Sequence, residues 1–322
     1  MQTVVRHLTT HSKMNNNLYS SVYRNLEREL VSLSNLIHIN DEQLKIYSIK
    51  ITELLIRTVV EVESISKELY FANGGEKDDD KDLFFDTDCI QLLEDKWKLS
   101  KKVIFVSSPN LYFEIDDNKV LNPLKKANKR GSSSSDWLKA YQAVKHNRGK
   151  NLKKGNLKHL IRALGGLYIL NVYYRDTIFQ LEKDGTGTNF DSSLGSELFS
   201  VKLHVSQTIS IDKDYTLNPD FDECIYLLKA TDKTREDVQK SLKLINEKTN
   251  ERVKNNLTKE IQKHLSTIKG SDKEEVEKNL KDVVSKIRSD IQIQVAKENG
   301  LKLKQTFENL RYEGIINKQQ FE

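Results

Sequence analysis

The chain has 322 residues, 31% of them charged and 37% apolar, with a formal net charge of +5. Only 13 glycines and 3 prolines interrupt it, which excludes collagen-like and proline-rich disordered chains and favours long helices. No apolar run reaches the ~20 residues of a membrane span. The opening MQTVVRHLTTHSK lacks the apolar centre of a secretory signal, so the expectation is a soluble, cytoplasmic chain with no membrane partner. Cys89 and Cys224 are too few and too far apart in sequence to predict a metal cage or a disulfide framework. At ~100–200 residues per domain, the length points to two or three domains.

Residues 15–38 predict an amphipathic helix, with Leu18, Val22, Leu26, Leu30, Leu33 and Ile37 at three- and four-residue steps. Asn40 followed by Gln43 resembles a capping box and opens a second helix. Its stripe (Leu44, Ser48, Ile51, Leu55, Thr58, Val62, Ile65, Leu69) stops at Asn73-Gly74-Gly75. Two long helices so close in sequence are expected as antiparallel neighbours, the seed of a bundle. An acidic loop over 76–88 follows, then a short apolar stretch from Cys89 to Leu99. Val103–Val106 is either a strand or a helix end. Lys125–Ser135 is a flexible basic loop, and Asp136 opens a short helix with Trp137, Tyr141 and Val144 on one side. Asn156 caps a long apolar helix expected to end before Asp184-Gly185.

Alternating residues between 186 and 230 predict two or three strands. From Asp232 the chain is helical again, with 20 basic and 16 acidic residues to its end. The narrow stripe Val238, Leu242, Ile245, Thr249, Val253 and a capping box at Ser271-x-x-Glu274 predict a coiled-coil-like hairpin. Such a hairpin pairs within itself, in a homo-oligomer, or with a partner protein. The expected fold is mainly α. It comprises an N-terminal antiparallel helical bundle over 1–185, a short β-containing segment over 186–231, and a charged helical region over 232–322.

Charge is unevenly spread. Lys125–His159 holds eleven basic residues against the single acid Asp136, whereas Glu76–Lys96 holds nine acids against three lysines. The basic segment therefore either faces a polyanion or neutralises the acidic loop. Within it, Lys145-His146-Asn147-Arg148 sets three cation-capable side chains at a helix C-terminus, an environment that favours cations by about 0.3–1 kcal/mol. Phosphodiester cleavage needs a proton-exchanging group and a fixed cation, roles that suit His146 and Arg148 or Lys145. The alternative is that these side chains cap helix carbonyls. On the second helix Arg57, Glu61 and Glu68 edge the apolar stripe, and Glu61 is a candidate to orient His146. Glu63 and Lys67 form an i,i+4 surface pair. Asn171 and Arg175 lie on the apolar side of the long helix, either structural or site-lining. Lys150, Lys153 and Lys154 add candidate phosphate contacts.

These residues carry a resemblance. Two long antiparallel helices, a variable middle, a short helix ending in KHNR and the long helix LIRALGGLYILNVYYRD resemble HEPN-related helical domains of prokaryotic defence and abortive-infection proteins, over residues 15–183. The resemblance implies a metal-independent ribonuclease in which a 2′-hydroxyl attacks the adjacent phosphate, often in a composite site across a dimer. The family places an Arg before its His; here His146 precedes Arg148, and Arg6-His7-Leu8-Thr9-Thr10-His11 is one residue short of the family spacing. The expected function is an antiviral-defence effector that binds and cleaves RNA, with His146 as general acid/base, Lys145 and Arg148 as phosphate anchors, and Glu61 behind them. Arg57, Lys150, Lys153, Lys154, Asn171 and Arg175 would contact substrate. The alternative is a non-catalytic assembly or sensor subunit working through the helical domain and the C-terminal hairpin. No metal or other cofactor is expected.

Overall fold

The computed structural model describes residues 18–78, 82–205, 218–265 and 273–319. The chain is mainly α. It begins with α1 (Leu18–Ser34), β1 (Ile39–Asn40) and α2 (Ile49–Ala72), then a π-helical turn (Phe85–Ile90) that runs into α3 (Gln91–Trp97). Next come β2 (Ile104–Val106), β3 (Leu111–Tyr112), α4 (Asp116–Lys119), β4 (Val120–Leu121), α5 (Asp136–His146), α6 (Arg148–Asn151) and α7 (Leu157–Arg175). The remainder is β5 (Phe179–Glu182), β6 (Phe199–Val201), β7 (Leu203–Val205), β8 (Tyr226–Ala230), α8 (Asp232–Leu265), α9 (Lys273–Glu298), α10 (Gly300–Glu308) and β9 (Tyr312–Ile316).

The centre is α7, in which every residue from Ala163 to Tyr173 is buried. A helix apolar on all sides must be enclosed, and α1, α2 and α5 all pack against this one. Gly165 and Gly166 give it a bare strip: a Cβ on Gly165 would stand 2.8 Å from Ile104 of β2, and one on Gly166 3.3 Å from Leu124. On α2 the expected stripe is buried (Ile51, Leu55, Val62, Ile65, Leu69), and the hydroxyls of Thr58 and Ser66 donate to Leu54 O and Val62 O. Polar residues thus enter the stripe without orphaned groups.

Boundaries of three helices differ from the sequence expectation, and the first, expected to run to residue 38, already ends at Ser34. Asn40 caps only a short 3-10 turn, its Oδ1 accepting from Glu42 N and Gln43 N, while α2 starts at Ile49 under Ser48, whose Oγ accepts from Ile51 N at 3.1 Å. A serine side chain one residue before the helix competes better for its free N–H groups than an asparagine nine residues upstream. At the other end α7 stops at Arg175, where Asp176 turns left-handed (φ 45°), and residues 179–182 become a strand. Asn156 does cap α7, accepting from His159 N at 3.1 Å.

The strands form small sheets. β2 pairs antiparallel with β4 and β6, and β1 pairs with β3. The largest has the order β5-β9-β8-β7, with β8 parallel to β7 and antiparallel to β9. Its strands come from residues on both sides of 186 and of 232, so the sheet crosses the expected divisions of the chain. Helices α8–α10 are an excursion that leaves the sheet after Ala230 and returns at Tyr312, its register partner. At 1.5 Å per residue α8 reaches about 50 Å. Ile245, Ile291 and Val295, with Val253, Ile287 and Leu303 beside them, form a thin core between α8, α9 and α10. Arg252 and Glu298 clamp α8 to α9, with Nη1 2.8 Å from Oε1. Ser271 and its capping box lie outside the described residues.

Glu27 ties α1 to the start of β6. It is 2% exposed and accepts from Tyr23 OH (2.8 Å), Ser196 Oγ, Glu197 N (3.1 Å) and Leu198 N (3.2 Å). Glu27→Ala leaves several buried donors unpaired and is expected to lower stability by about 3 kcal/mol, read as a fall in the urea midpoint.

Lys102 is fully buried, its Nζ donating to Cys224 O at 3.1 Å. Burial pulls its pKa down to about 7, against the opposing pull of Asp222 and Glu94, while Lys98 adds to the depression. Between about pH 7 and the ordinary lysine value the unfolded chain holds the extra proton, so this residue makes stability rise with pH through that window. Lys102→Met is expected to flatten that rise and to stabilise the protein at pH 7. Asn317 Nδ2 still donates to Cys224 O in that variant. Urea unfolding across pH 6–10 measures both effects.

Candidate functional site

Helix α5 buries Trp137, Leu138, Ala140, Tyr141 and Val144 against the bundle, and Trp137 Nε1 donates to Pro123 O at 2.7 Å. Its other face and the loop before it carry the basic segment. A cleft of about 700 Å³ opens between this face, α2 and the π-helical turn. Its wall includes Glu63, Phe84, Asp86, Arg130, Lys139, Tyr141, Gln142, Lys145 and Lys154. A second cleft of about 290 Å³ shares Ser134 and Lys139 with it and adds Lys125, Lys126, Asp136 and Arg162. Together they make one positively charged band around α5.

The acidic loop neutralises part of this charge. Arg130 lies over Phe84, its Cζ 3.5 Å from the ring centroid, and its Nε donates to both oxygens of buried Asp86 at 2.9 and 3.0 Å. Asp88 is taken by Lys77 at 2.7 Å, and that pairing holds its carboxyl below the usual carboxylate range. Asp136 serves Lys139 at 2.9 Å and Arg162 at 3.9 Å. Lys145, Lys150, Lys153 and Lys154 form no ion pair with described residues and are exposed; Lys145 Nζ lies 5.3 Å from the Tyr141 ring centroid. The neutralising reading holds for Arg130, which answers the acidic loop, whereas these lysines face solvent.

The KHNR side chains do not plug the end of α5. Asn151 does so, its Nδ2 donating to Ala143 O at 3.2 Å and to Asn147 O at 3.0 Å, while Asn147 caps α6 by accepting from Lys150 N. His146 is exposed, with no hydrogen bond or ion pair to a described residue. Arg148 approaches Glu53 at 4.0 Å. Of the four expected catalytic residues only Lys145 lines the cleft.

Glu61 is not among them. It sits beside Arg57 on the face of α2 turned to Tyr19 of α1, where burial raises its pKa against the pull of Arg57. Glu63, expected as a surface partner of Lys67, is the acid of α2 that lines the cleft. Two residues along a helix turn a side chain by about 200°, which is why the neighbouring acid and not Glu61 faces α5. Arg57 is therefore separated from the basic band as well. Asn171 and Arg175 also point elsewhere, into a small cavity with Ser20, Tyr23, Tyr168 and Ser196. There Asn171 Nδ2 donates to Leu167 O at 3.0 Å and Arg175 Nη1 reaches Leu194 O at 3.5 Å. The Arg6–His11 stretch lies outside the described residues.

His159 is a further polar group beside the basic band, and no motif singles it out. Its Nδ1 faces Lys154 O at 2.6 Å; a carbonyl only accepts, so Nδ1 carries the proton and the tautomer is set. Burial keeps its pKa below the usual histidine value, and Asp136 and Arg162 stand near it. The only sequence signal was its place three residues after the cap Asn156, which brings it back over the Lys153-Lys154 turn. Comparison with protein-family models, with curated proteins and with solved structures finds no match for this chain.

Asp86→Asn takes away the charge that holds Arg130 and leaves a guanidinium available to the cleft. Elution from heparin is expected to move to higher salt; unchanged elution would mean that Phe84 alone keeps Arg130 out of reach.

Proposed function

We propose that the chain binds RNA, or a closely similar single-stranded polyanion, along the band around α5, as part of a prokaryotic antiviral-defence response. The observation that carries this reading is the cleft rimmed by Lys139, Lys145 and Lys154, two of them without an ion pair to described residues, in a segment of eleven bases and one acid. The proposed kinship with HEPN-related domains rests on the packing of α1 against α2, on α5 running into KHNR, and on α7. Recognition falls on phosphates: Tyr141 is buried and Phe84 is covered by Arg130, so neither ring offers a free stacking face.

No described carboxylate orients His146, and Glu61 lies on the α1 side of α2, away from the cleft. If the protein does cleave, the proton-transfer group is His146, beside Lys145 and Arg148. The test has two parts. Binding to a single-stranded RNA should weaken with salt with a slope of about −0.7 per phosphate contacted, and Lys145→Ala/Lys154→Ala should reduce that slope by about 1–1.5. A flat response, or a double variant with an unchanged slope, removes the binding reading. For cleavage, RNA is incubated in EDTA with the wild type and with His146→Ala; full cleavage by the variant removes His146 from the assignment.

A second reading, an assembly subunit, is favoured by the α8–α10 excursion, where Leu242, Ile293, Leu301 and Phe307 are exposed. Because β9 fills the sheet between β5 and β8, removal of everything after 231 would also open the sheet. Residues 233–309 can instead be replaced by a short turn joining Ala230 to Tyr312, which are already paired. If the excursion mediates assembly, light scattering of this shortened chain gives a smaller particle count per complex than the full chain.

A further inference from the structure

Away from the basic band, the fold brings together three metal-ligating residue types that are dispersed in the sequence. His204 stands at the centre of β7, and Asp220 and Cys224 flank the 3-10 turn Phe221–Glu223. A ring nitrogen, a carboxylate oxygen and Sγ from these residues all lie within 4.8 Å of one another. We propose that His204, Asp220 and Cys224 form a binding site for a zinc-type divalent transition-metal ion.

The donor set decides the class of ion. Thiolate, imidazole and one carboxylate suit zinc, cobalt or iron, whereas calcium and magnesium take oxygen donors. Zinc bonds of ~2.0–2.3 Å in a tetrahedron place ligand atoms roughly 3.3–3.8 Å apart, so the trio needs to close by only about 1 Å. Asp220 can supply that movement, because its side chain is 43% exposed while His204 and Cys224 are buried. The exposed carboxylate also marks the side from which an ion enters and from which a water would complete the fourth position.

The surroundings are built to hold this geometry. His204 is fixed by the parallel pairing of β7 with β8, and its ring stands at 90° to Phe221, 5.2 Å away between centroids. The Cys224 carbonyl accepts from buried Lys102 Nζ at 3.1 Å and from buried Asn317 Nδ2 at 3.0 Å. Asn317 Nδ2 also reaches Phe221 O at 2.8 Å, and Lys98 and Lys101 both hold Asp222. Two ligands therefore sit on a turn locked from both sides. Lys202 Nζ lies 3.2 Å from Asp220 Oδ2 and 2.5 Å from Glu223 Oε2, so it can orient the Asp220 carboxylate while the other oxygen takes the ion. On binding, the Cys224 thiol releases its proton to solvent, and no oxidant or reductant is needed.

The test uses the full chain, stripped with EDTA and titrated with Co²⁺ as a spectroscopic stand-in for zinc. One equivalent is expected to bind with a thiolate-to-cobalt charge-transfer band and intense visible bands, and Zn²⁺ should displace it. Cys224→Ala should abolish the charge-transfer band while Cys89→Ala retains it. Asp220→Asn changes a partly exposed side chain and leaves the fold intact; it should weaken Co²⁺ binding at least about tenfold. The proposal is overturned if the folded wild type binds no Co²⁺, if the band survives in Cys224→Ala, or if Asp220→Asn binds as the wild type does.

Discussion

Enclosure of α7 is the constraint from which the rest of the structure follows. Its run from Ala163 to Tyr173 is buried throughout, and each large apolar side chain so buried contributes about 1.5–3 kcal/mol relative to exposure. No single neighbour can cover such a helix, so α1, α2 and α5 are recruited from distant parts of the chain, and the two glycines admit β2 and the Leu124 loop on the remaining side. The basic band is a by-product of this arrangement. Because α5 must turn Trp137, Tyr141 and Val144 inward, it must turn Lys139, Gln142 and Lys145 outward, toward the cleft against α2.

Electrostatics then divides the basic segment into two populations. Arg130 is consumed by Asp86 and Phe84, and Lys139 by Asp136, whereas Lys145, Lys150, Lys153 and Lys154 are exposed and form no ion pair with described residues. Only the second group has charge to spend on a polyanion, since a bound guanidinium must first give up its own carboxylate. The same division accounts for the split of the expected catalytic set: Glu61 belongs to the α1 side of α2, and the histidine whose tautomer the fold does set is His159.

The sheet order β5-β9-β8-β7 ties chain segments about 130 residues apart, and its consequences reach the side chains around it. Return of the chain as β9 brings Asn317 under the Phe221–Cys224 turn, which steadies two donors opposite His204. The long excursion α8–α10 is possible because Ala230 and Tyr312 are neighbours in the sheet, so its length costs the sheet little.

Periodicity was enough to read the mainly α class, the stripe and breaker of α2, the Asn156 cap, the buried side of α5 and the helical character after Asp232. These are local properties, set by spacing and capping within one or two turns. Long-range partnership was not legible. Nothing in the local pattern of residues 312–316 announces a strand that completes a sheet begun near 179, and no spacing rule links His204 to Cys224 or chooses Glu63 over Glu61 for the cleft. Those outcomes depend on which face of each helix α7 claims, and on backbone hydrogen bonds that only a neighbouring strand can satisfy. Amino-acid order determined what each segment could become; packing and hydrogen-bond pairing decided which segments met.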